Sequence, residues 1–324
     1  MRRLLLRTLL LSVATSFALP AAAADKLSVR LDFSPWGVQA AMHLAQNKGW
    51  FKEAGLDVDI QDGRGSGNTI QLVNAGQVDV GQVQVGLVGS ARAKGATVRS
   101  IAAFQRRTDL CILVDKEAPI AKVADLKGKT VVVFAASPWS PFIDTYLKSG
   151  GMTRDDLKVD VVDAAALWGT YIAKRADGLM STVGSALPIA EQSRPSKCLL
   201  ASDANIAFPS YGLVVREDVI AAKGPALRKL IQVEQRAWQA LRDNPDDGVK
   251  AMIAERPDAR LDPKILLGQI KLTLDYFDTP ASKGKPIGWQ AKEDWESALK
   301  SMEAAGVVNA GWNVSDYYTN ALVE

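Results

Sequence analysis

Apolar and polar positions along the chain predict strands that alternate with helices between residues 26 and 218. Short apolar runs are typical of strands, and segments with apolar positions three or four apart are typical of helices. The predicted strands are 26–33, 56–62, 77–83, 97–104, 109–115, 130–136, 157–163, 176–182, 197–202 and 211–218. The predicted helices between them are 38–51, 65–76, 141–151 and 164–175. This alternation indicates an α/β fold with mostly parallel sheets.

The pattern becomes helical after Gly224. Leu227, Leu230 and Ile231 begin an apolar series at helical spacing. The helices predicted in this C-terminal tail are 225–244, 245–255, 262–277, 291–306 and 316–323.

Two strand-like segments, 110–115 and 211–216, are the expected chain crossings between two α/β units. One unit is then inserted into the other, and two crossings form a hinge beside a cleft. We predict a first lobe made of 25–112 and 213–324 and a second lobe made of 113–212. Ligand pockets of α/β proteins form at such interfaces, outside the carboxyl ends of the strands.

The first 24 residues have the organisation of a secretory signal peptide. Three arginines and no acidic residue accompany an apolar stretch from Thr8 to Leu19, and three alanines precede Asp25. The apolar stretch is too short to span a bilayer. We therefore expect cleavage near Ala24 and a mature protein in the periplasm that is not inserted in a membrane.

Composition and charge narrow the classes further. The chain is 48% hydrophobic and 23% charged, which excludes a disordered or polytopic membrane protein. Its 39 basic and 36 acidic side chains give a formal charge of +3, and the leader holds three of the arginines. The mature part then has zero net charge, so it lacks the positive field that draws proteins to nucleic acid.

Cys111 and Cys198 lie in the apolar runs of two predicted strands. Unpaired cysteines are frequently buried at such positions, so we expect two reduced and buried thiols. The oxidising periplasm also permits a disulfide. Two cysteines are too few for a structural zinc site.

Residues that would support catalysis or a cofactor are scarce. The single histidine, His43, lies inside a predicted helix, and a structural role is favoured over a catalytic or metal-binding one. The glycine-rich segment 63–68, GRGSGN, lacks the spacing of a dinucleotide fingerprint and the lysine of a phosphate loop. Two interpretations stay open for it: backbone amides that donate to a ligand, or a tight turn. No cofactor is expected.

Several segments carry a resemblance to a known family. The run LDFSPWGVQAAMHLAQNKGWFKEAGLDVDI starts at Leu31, GSGNTIQLVNAGQVDVG starts at Gly65, and LKGKTVVV starts at Leu126. They resemble substrate-binding proteins of the NMT1/THI5-like group, whose ligands include thiamine precursors, alkanesulfonates and taurine. The resemblance implies a two-lobed type II periplasmic binding protein, a monomer that closes by a hinge and serves an inner-membrane ABC permease.

The same resemblance argues against an enzyme. Pyrimidine synthases of the group carry a histidine after the first strand and a cysteine-rich cluster. Here the position that matches the histidine is Gln39, and the chain has two distant cysteines.

Polar and aromatic residues at predicted strand ends are the candidate ligand contacts. Trp36 and Trp139, in proline-containing turns, are predicted to face each other across the cleft as a stacking clamp. A planar ring between two indoles fits a pyrimidine-like thiamine precursor or a related heterocycle. The full candidate set is Asp32, Trp36, Ser66, Gly67, Asn68, Gln82, Gln84, Phe104, Gln105, Ser137, Trp139, Ser140, Trp168, Thr182 and Tyr211.

Alternative functions stay open at this point. A small organic anion, such as a sulfonate or an aromatic carboxylate, could be held by the amides of 66–68 and 137–140. Arg106 and Arg107, near the hinge, are interpreted as a solvated turn, with an acidic ligand as the alternative. Alternatives of other classes are a periplasmic enzyme of the same fold and a binding protein that presents its ligand to a membrane sensor.

Overall fold

The computed structural model describes residues 24–323. The predicted leader lies outside the described residues except for Ala24, so its cleavage near that residue stays a prediction. Among residues 24–323, no helix combines the length and apolar character needed to cross a bilayer.

Strands in this part of the chain form two sheets of five. They are β1 (Asp25–Leu31), β2 (Leu56–Gln61), β3 (Val80–Gln84), β4 (Val98–Ala103), β5 (Leu110–Asp115), β6 (Thr130–Phe134), β7 (Lys158–Val162), β8 (Gly178–Thr182), β9 (Ser196–Leu200) and β10 (Tyr211–Arg216). The first sheet has the order β2-β1-β3-β10-β4, and the second has the order β7-β6-β8-β5-β9. The two orders are equivalent, position for position.

Both sheets are mixed, and in each of them four of the five strands run in one direction, as the sequence predicts. In the first sheet β1 pairs in parallel with β2 and β3, with Leu27 opposite Val58, and β10 runs antiparallel to both of its neighbours. In the second sheet β5 is the strand that runs antiparallel to both neighbours. All residues of β3 and all but the last of β5 are buried, which is typical of strands covered on both faces.

The chain passes from the first sheet to the second between Ala103 and Leu110, and it returns between Leu200 and Tyr211. The two crossings run side by side: the Ser210 amide donates to the Gln105 carbonyl at 2.8 Å, and the Phe104 amide donates to the Tyr211 carbonyl at 2.9 Å. The strands β5 and β10 therefore belong to one sheet each. The crossings are the loops that precede them, a few residues before the borders predicted at 112 and 212.

Helices cover the faces of both sheets. They are α1 (Ala40–Asn47), α2 (Trp50–Glu53), α3 (Ser66–Asn74), α4 (Val88–Ala93), α5 (Ile143–Ser149), α6 (Leu167–Ile172), α7 (Val183–Ser193), α8 (Glu217–Asp243), α9 (Pro245–Glu255), α10 (Pro263–Asp275) and α11 (Lys292–Ala304). One apolar cluster joins the first sheet to α1, α8 and α9. A second cluster runs from the other face of that sheet through α11 into the second sheet, and a third lies under α6 and α7.

Three helices differ from the sequence prediction. The short helix α4 was not predicted. Nor was α7, which contains Pro188 and begins at a cap where the Thr182 hydroxyl accepts from the Ser185 amide. The helix predicted at 316–323 is absent from the described chain. Its backbone instead bonds to the edge strand β4 through Ser100, whose amide donates to the Tyr317 carbonyl at 2.9 Å. An unpaired strand edge offered this segment better hydrogen-bond partners than a short terminal helix.

The prediction of two free thiols is wrong in this structure, where Cys111 and Cys198 form a disulfide. Their strands, β5 and β9, pair antiparallel, and this pairing brings the two Cα atoms within 5.5 Å. That separation is within the range of disulfide bridges. The sequence placed both cysteines on strands correctly but did not reveal that these strands are neighbours.

Candidate functional site

A cavity lies between the two sheets, on the side where β1, β6 and β8 end. Its volume is about 60 Å³, and both units contribute to its walls. The lining residues are Asp32, Phe33, Trp36, Gly65, Ser66, Phe134, Ser137, Pro138, Leu167, Trp168, Ser181, Thr182, Ser185 and Tyr211.

Asp32 is the polar centre of the cavity on the first side. It follows β1 directly, and its side chain is 4% exposed. Its carboxylate accepts from the amide of Gln39 at 2.7 Å, the hydroxyl of Tyr211 at 3.1 Å and the indole N–H of Trp36 at 3.3 Å. Burial raises the pKa of Asp32 to about 6, although these hydrogen bonds act in the opposite direction.

Trp36 is held in place by the same network. The Gln39 side chain accepts from the Trp36 backbone amide at 3.1 Å, just before α1 begins. The ring of Tyr211, at the start of β10, meets the indole edge to face with centroids 5.4 Å apart. The indole is therefore fixed both in position and in rotation before a ligand arrives.

The two units already touch at the mouth of the cavity. Phe33 and Phe134, one from each unit, have ring centroids 5.6 Å apart. Gly65 has a positive φ of 116°, and a Cβ there would lie 2.6 Å from the Cβ of Ala136. Any side chain larger than glycine would force these loops apart, so the structure shows the two units close together. Of the two interpretations of the glycine-rich segment, the tight turn describes Gly65.

Gln269, on α10, ties the two walls together at one end. Its side chain accepts from the Gly37 amide at 3.0 Å and donates to the Ser185 carbonyl at 3.0 Å. Gly37 follows Trp36, and Ser185 lies in the first turn of α7. A helix of the C-terminal tail therefore links a wall from the first unit to a wall from the second.

The structure brings seven of the predicted site residues together around the cavity. They are Asp32, Trp36, Ser66, Ser137, Trp168, Thr182 and Tyr211. Gly67, Asn68 and Ser140 instead line a separate outer groove, which also reaches Ser137.

Five predicted contacts lie behind the cavity wall. Phe104 packs in the core against Trp238, with centroids 6.2 Å apart. Gln82, Gln84 and Gln105 are buried, with Gln84 donating to Asp109 at 3.3 Å beside the hinge. Trp139 is fully buried, so the predicted pairing of Trp36 with Trp139 across the cleft is not formed. Trp168, on α6, supplies the indole of the second unit.

Half of the residues that line the cavity were not predicted from the sequence. The missed residues are Phe33, Gly65, Phe134, Pro138, Leu167, Ser181 and Ser185. Phe33 and Phe134 stand at strand ends and share the signal that identified Asp32. Ser185 could not be found because its helix, α7, was not predicted.

A cavity closed between two α/β units defines a two-domain ligand-binding protein, and comparisons with known proteins agree. A model of the NMT1/THI5-like family matches residues 37–248, so the chain belongs to that family. The formylaminopyrimidine-binding protein of Halalkalibacterium halodurans is 24% identical over 302 residues, 91% of this chain and 90% of that protein.

Two further comparisons bear on fold and on catalysis. The alkanesulfonate-binding protein SsuA of Xanthomonas axonopodis pv. citri, solved with MOPS, has a TM-score of 0.69 at 15% identity and covers 92% of this chain and 99% of its own. This likeness confirms the predicted periplasmic binding protein fold. A Saccharomyces cerevisiae 4-amino-5-hydroxymethyl-2-methylpyrimidine phosphate synthase, THI11, is 31% identical over 133 residues, 41% of this chain and 39% of that enzyme.

Proposed function

We propose that this protein is an extracytoplasmic solute-binding protein that captures a small planar molecule and delivers it to an ABC permease. The observation that carries the proposal is the cavity with walls from both units. A ligand that contacts both walls binds the closed arrangement better than an open one and so shifts the population toward it. The permease then recognises the closed form.

The walls favour a planar ligand. Trp36 and Trp168 offer large rigid faces from opposite units, and hydroxyl groups of Ser66, Ser137 and Thr182 stand near them. Asp32 provides an acceptor for a ring amino group. A pyrimidine-like thiamine precursor or a related heterocycle meets these requirements, and the relative named for formylaminopyrimidine binding supports this class.

Localisation and partners follow from the leader and the charge. A signal peptide cleaved near Ala24 would place the mature chain in the periplasm, where the inner-membrane permease is its partner. We expect no affinity for nucleic acid, because the mature part has no net charge. The family resemblance implies a monomer.

A binding role also accounts better than catalysis for Gln39. At the position where the enzymes of the group carry histidine, Gln39 is buried and bonded to Asp32 and Trp36. It therefore holds two residues of the cavity wall, Asp32 and Trp36, in place. The cysteine-rich cluster of those enzymes also has no counterpart here, because the two cysteines form a disulfide on β5 and β9.

A titration of Trp168→Ala tests the proposal. We first expect a thermal-shift panel of pyrimidines, sulfonates and aromatic acids to show stabilisation by a pyrimidine, because a ligand specific for the native state raises Tm. Calorimetry should then show affinity reduced about 5- to 150-fold in Trp168→Ala, the loss of one stacked ring. Trp312→Ala, whose indole bonds Glu303 outside the cavity, is the control. Equal binding by both variants would exclude the cavity as the site, and stabilisation by sulfonates alone would favour the organic anion.

A further inference from the structure

The formal charge on the walls of the cavity is negative. Of the described residues that line it, Asp32 is the one that carries a formal charge. The remaining walls are aromatic rings, hydroxyl groups, glycine, proline and leucine, and within residues 24–323 no lysine, arginine or histidine contributes to them. An anionic ligand would enter a space whose charge is negative and would find no cation there.

The carboxylate of Asp32 is stabilised by neutral donors alone. The side-chain groups that donate to it belong to Gln39, Trp36 and Tyr211, none of which carries positive charge. A buried carboxylate without a counter-charge is costly, even when it is hydrogen-bonded. A cation in the cavity would supply the missing positive charge.

The aromatic walls favour the same kind of ligand. Phe33, Trp36, Phe134, Trp168 and Tyr211 contribute five rings from both units. The face of an aromatic ring attracts a cation within roughly 6 Å, and a flat cation stacks on it as well. A positive charge spread over a planar ring therefore uses both the rings and the carboxylate.

We propose that the cavity selects a planar heteroaromatic base bound as its cation, with Asp32 as the specificity-determining counter-ion. This inference rests on the proposed function and narrows its ligand class. Sulfonates and aromatic carboxylates should not bind in this cavity, because the Asp32 carboxylate would repel their negative charge at close range. Neutral rings of the same shape should bind, but more weakly.

The charge of Asp32 is also the source of an expected pH dependence. Because burial raises its pKa to about 6, the carboxylate gains its proton as the pH falls through that value. The titratable groups that face it are few: the Tyr211 hydroxyl from β10, and behind that Asp109 from the first crossing. Burial raises the pKa of both, so Tyr211 stays neutral at neutral pH. A permanently cationic ligand should therefore lose affinity below about pH 6.

Two isosteric probes separate charge from shape: 4-amino-1-methylpyridinium, a permanent cation, and 4-methylaniline, its neutral counterpart. Calorimetry at pH 7.5 should show the cation binding about 10- to 100-fold more tightly, the range of a charged hydrogen bond. In Asp32→Asn this preference should disappear. The control variant Asp62→Asn, whose carboxylate pairs with Arg256 outside the cavity, should keep it.

The pH dependence of binding by the wild-type protein is a second test, and it needs no variant. Affinity for the cation should be constant from pH 8 to about pH 7 and should fall as Asp32 is protonated. Three results would each overturn the inference. They are 4-methylaniline binding at pH 7.5 as tightly as the cation or more tightly, benzenesulfonate binding more tightly than the cation, and no binding of the cation. If the neutral probe binds best and Trp168→Ala weakens it, the inference fails while the proposed function stands. If Trp168→Ala leaves every probe unaffected, the proposed function fails.

Discussion

Trp36 and Trp139 occupy equivalent positions in the two sheets, yet their environments are opposite. β1 and β6 each lie second in their sheet, and each tryptophan follows the last residue of its strand, Leu31 or Phe134, by the same interval. Trp36 lines the cavity, whereas Trp139 is fully buried in the core of the second unit.

The two indole N–H groups also have different hydrogen-bond partners. The residue directly after β1 is Asp32, which accepts from Trp36 at the cavity. The residue directly after β6 is Ala135, which has no side-chain acceptor. The Trp139 indole donates instead to the Ser181 carbonyl at 2.8 Å and packs edge to face on Tyr146 at 5.0 Å. A buried indole N–H usually has a hydrogen-bond acceptor, and these two tryptophans have different ones.

Replacing Trp139 should have the largest effect, and the effect should be on stability. Truncating a fully buried tryptophan leaves a cavity, so Trp139→Ala should lower the free energy of unfolding by about 3–5 kcal/mol. Denaturant titration measures this change. Binding by the molecules that stay folded should equal that of the wild type. A large loss of affinity with unchanged stability would instead restore the two-tryptophan clamp.

The second comparison concerns equivalent strand pairs, β5–β9 and β10–β4. The pair in the second sheet carries the Cys111–Cys198 disulfide, and β10–β4 contains no cysteine. The disulfide closes a long loop, with a sequence separation of 87, so Cys111→Ala with Cys198→Ala should lower the free energy of unfolding by about 2–4 kcal/mol. Thiol labelling of the denatured, unreduced wild type should find no free cysteine, and two labelled thiols would contradict the pairing.

Replacing Trp36 should have the smallest of these effects and should act on binding. Loss of one stacked ring predicts affinity about 5- to 150-fold weaker in Trp36→Ala, which calorimetry measures. Trp36→Phe is the matched variant, because it keeps an aromatic ring but removes the indole N–H that donates to Asp32. It should recover part of the affinity. Wild-type binding by Trp36→Ala would show that the indole faces an empty part of the cavity.

Most strands and helices could be predicted from the sequence, since each has its own local pattern. α9, for example, has the predicted bounds 245–255 and begins with Pro245. α7 lacked such a pattern because Pro188 interrupts it. The disulfide and the segment bonded to Ser100 depend on which strands are neighbours, and no local pattern records that.

Half of the residues that line the site could be predicted from the sequence, because those residues lie in locally recognisable positions. A position at a strand end is visible in the sequence, which is how Asp32, Trp36 and Thr182 were found. The direction of a side chain at such a position depends on its hydrogen-bond partner. The Ser181 carbonyl to which Trp139 donates lies 42 residues further along the chain, and no local pattern in the sequence links the two.

The most direct test of the ligand site is a crystal structure of the protein with 4-amino-5-hydroxymethyl-2-methylpyrimidine. We expect a ring between Trp36 and Trp168, with its amino group within hydrogen-bond distance of the Asp32 carboxylate and both units in contact with it. A ring bound in the outer groove at Asn68 and Ser140, or a cavity ligand that contacts one unit only, would show that this cavity is not the interdomain ligand site.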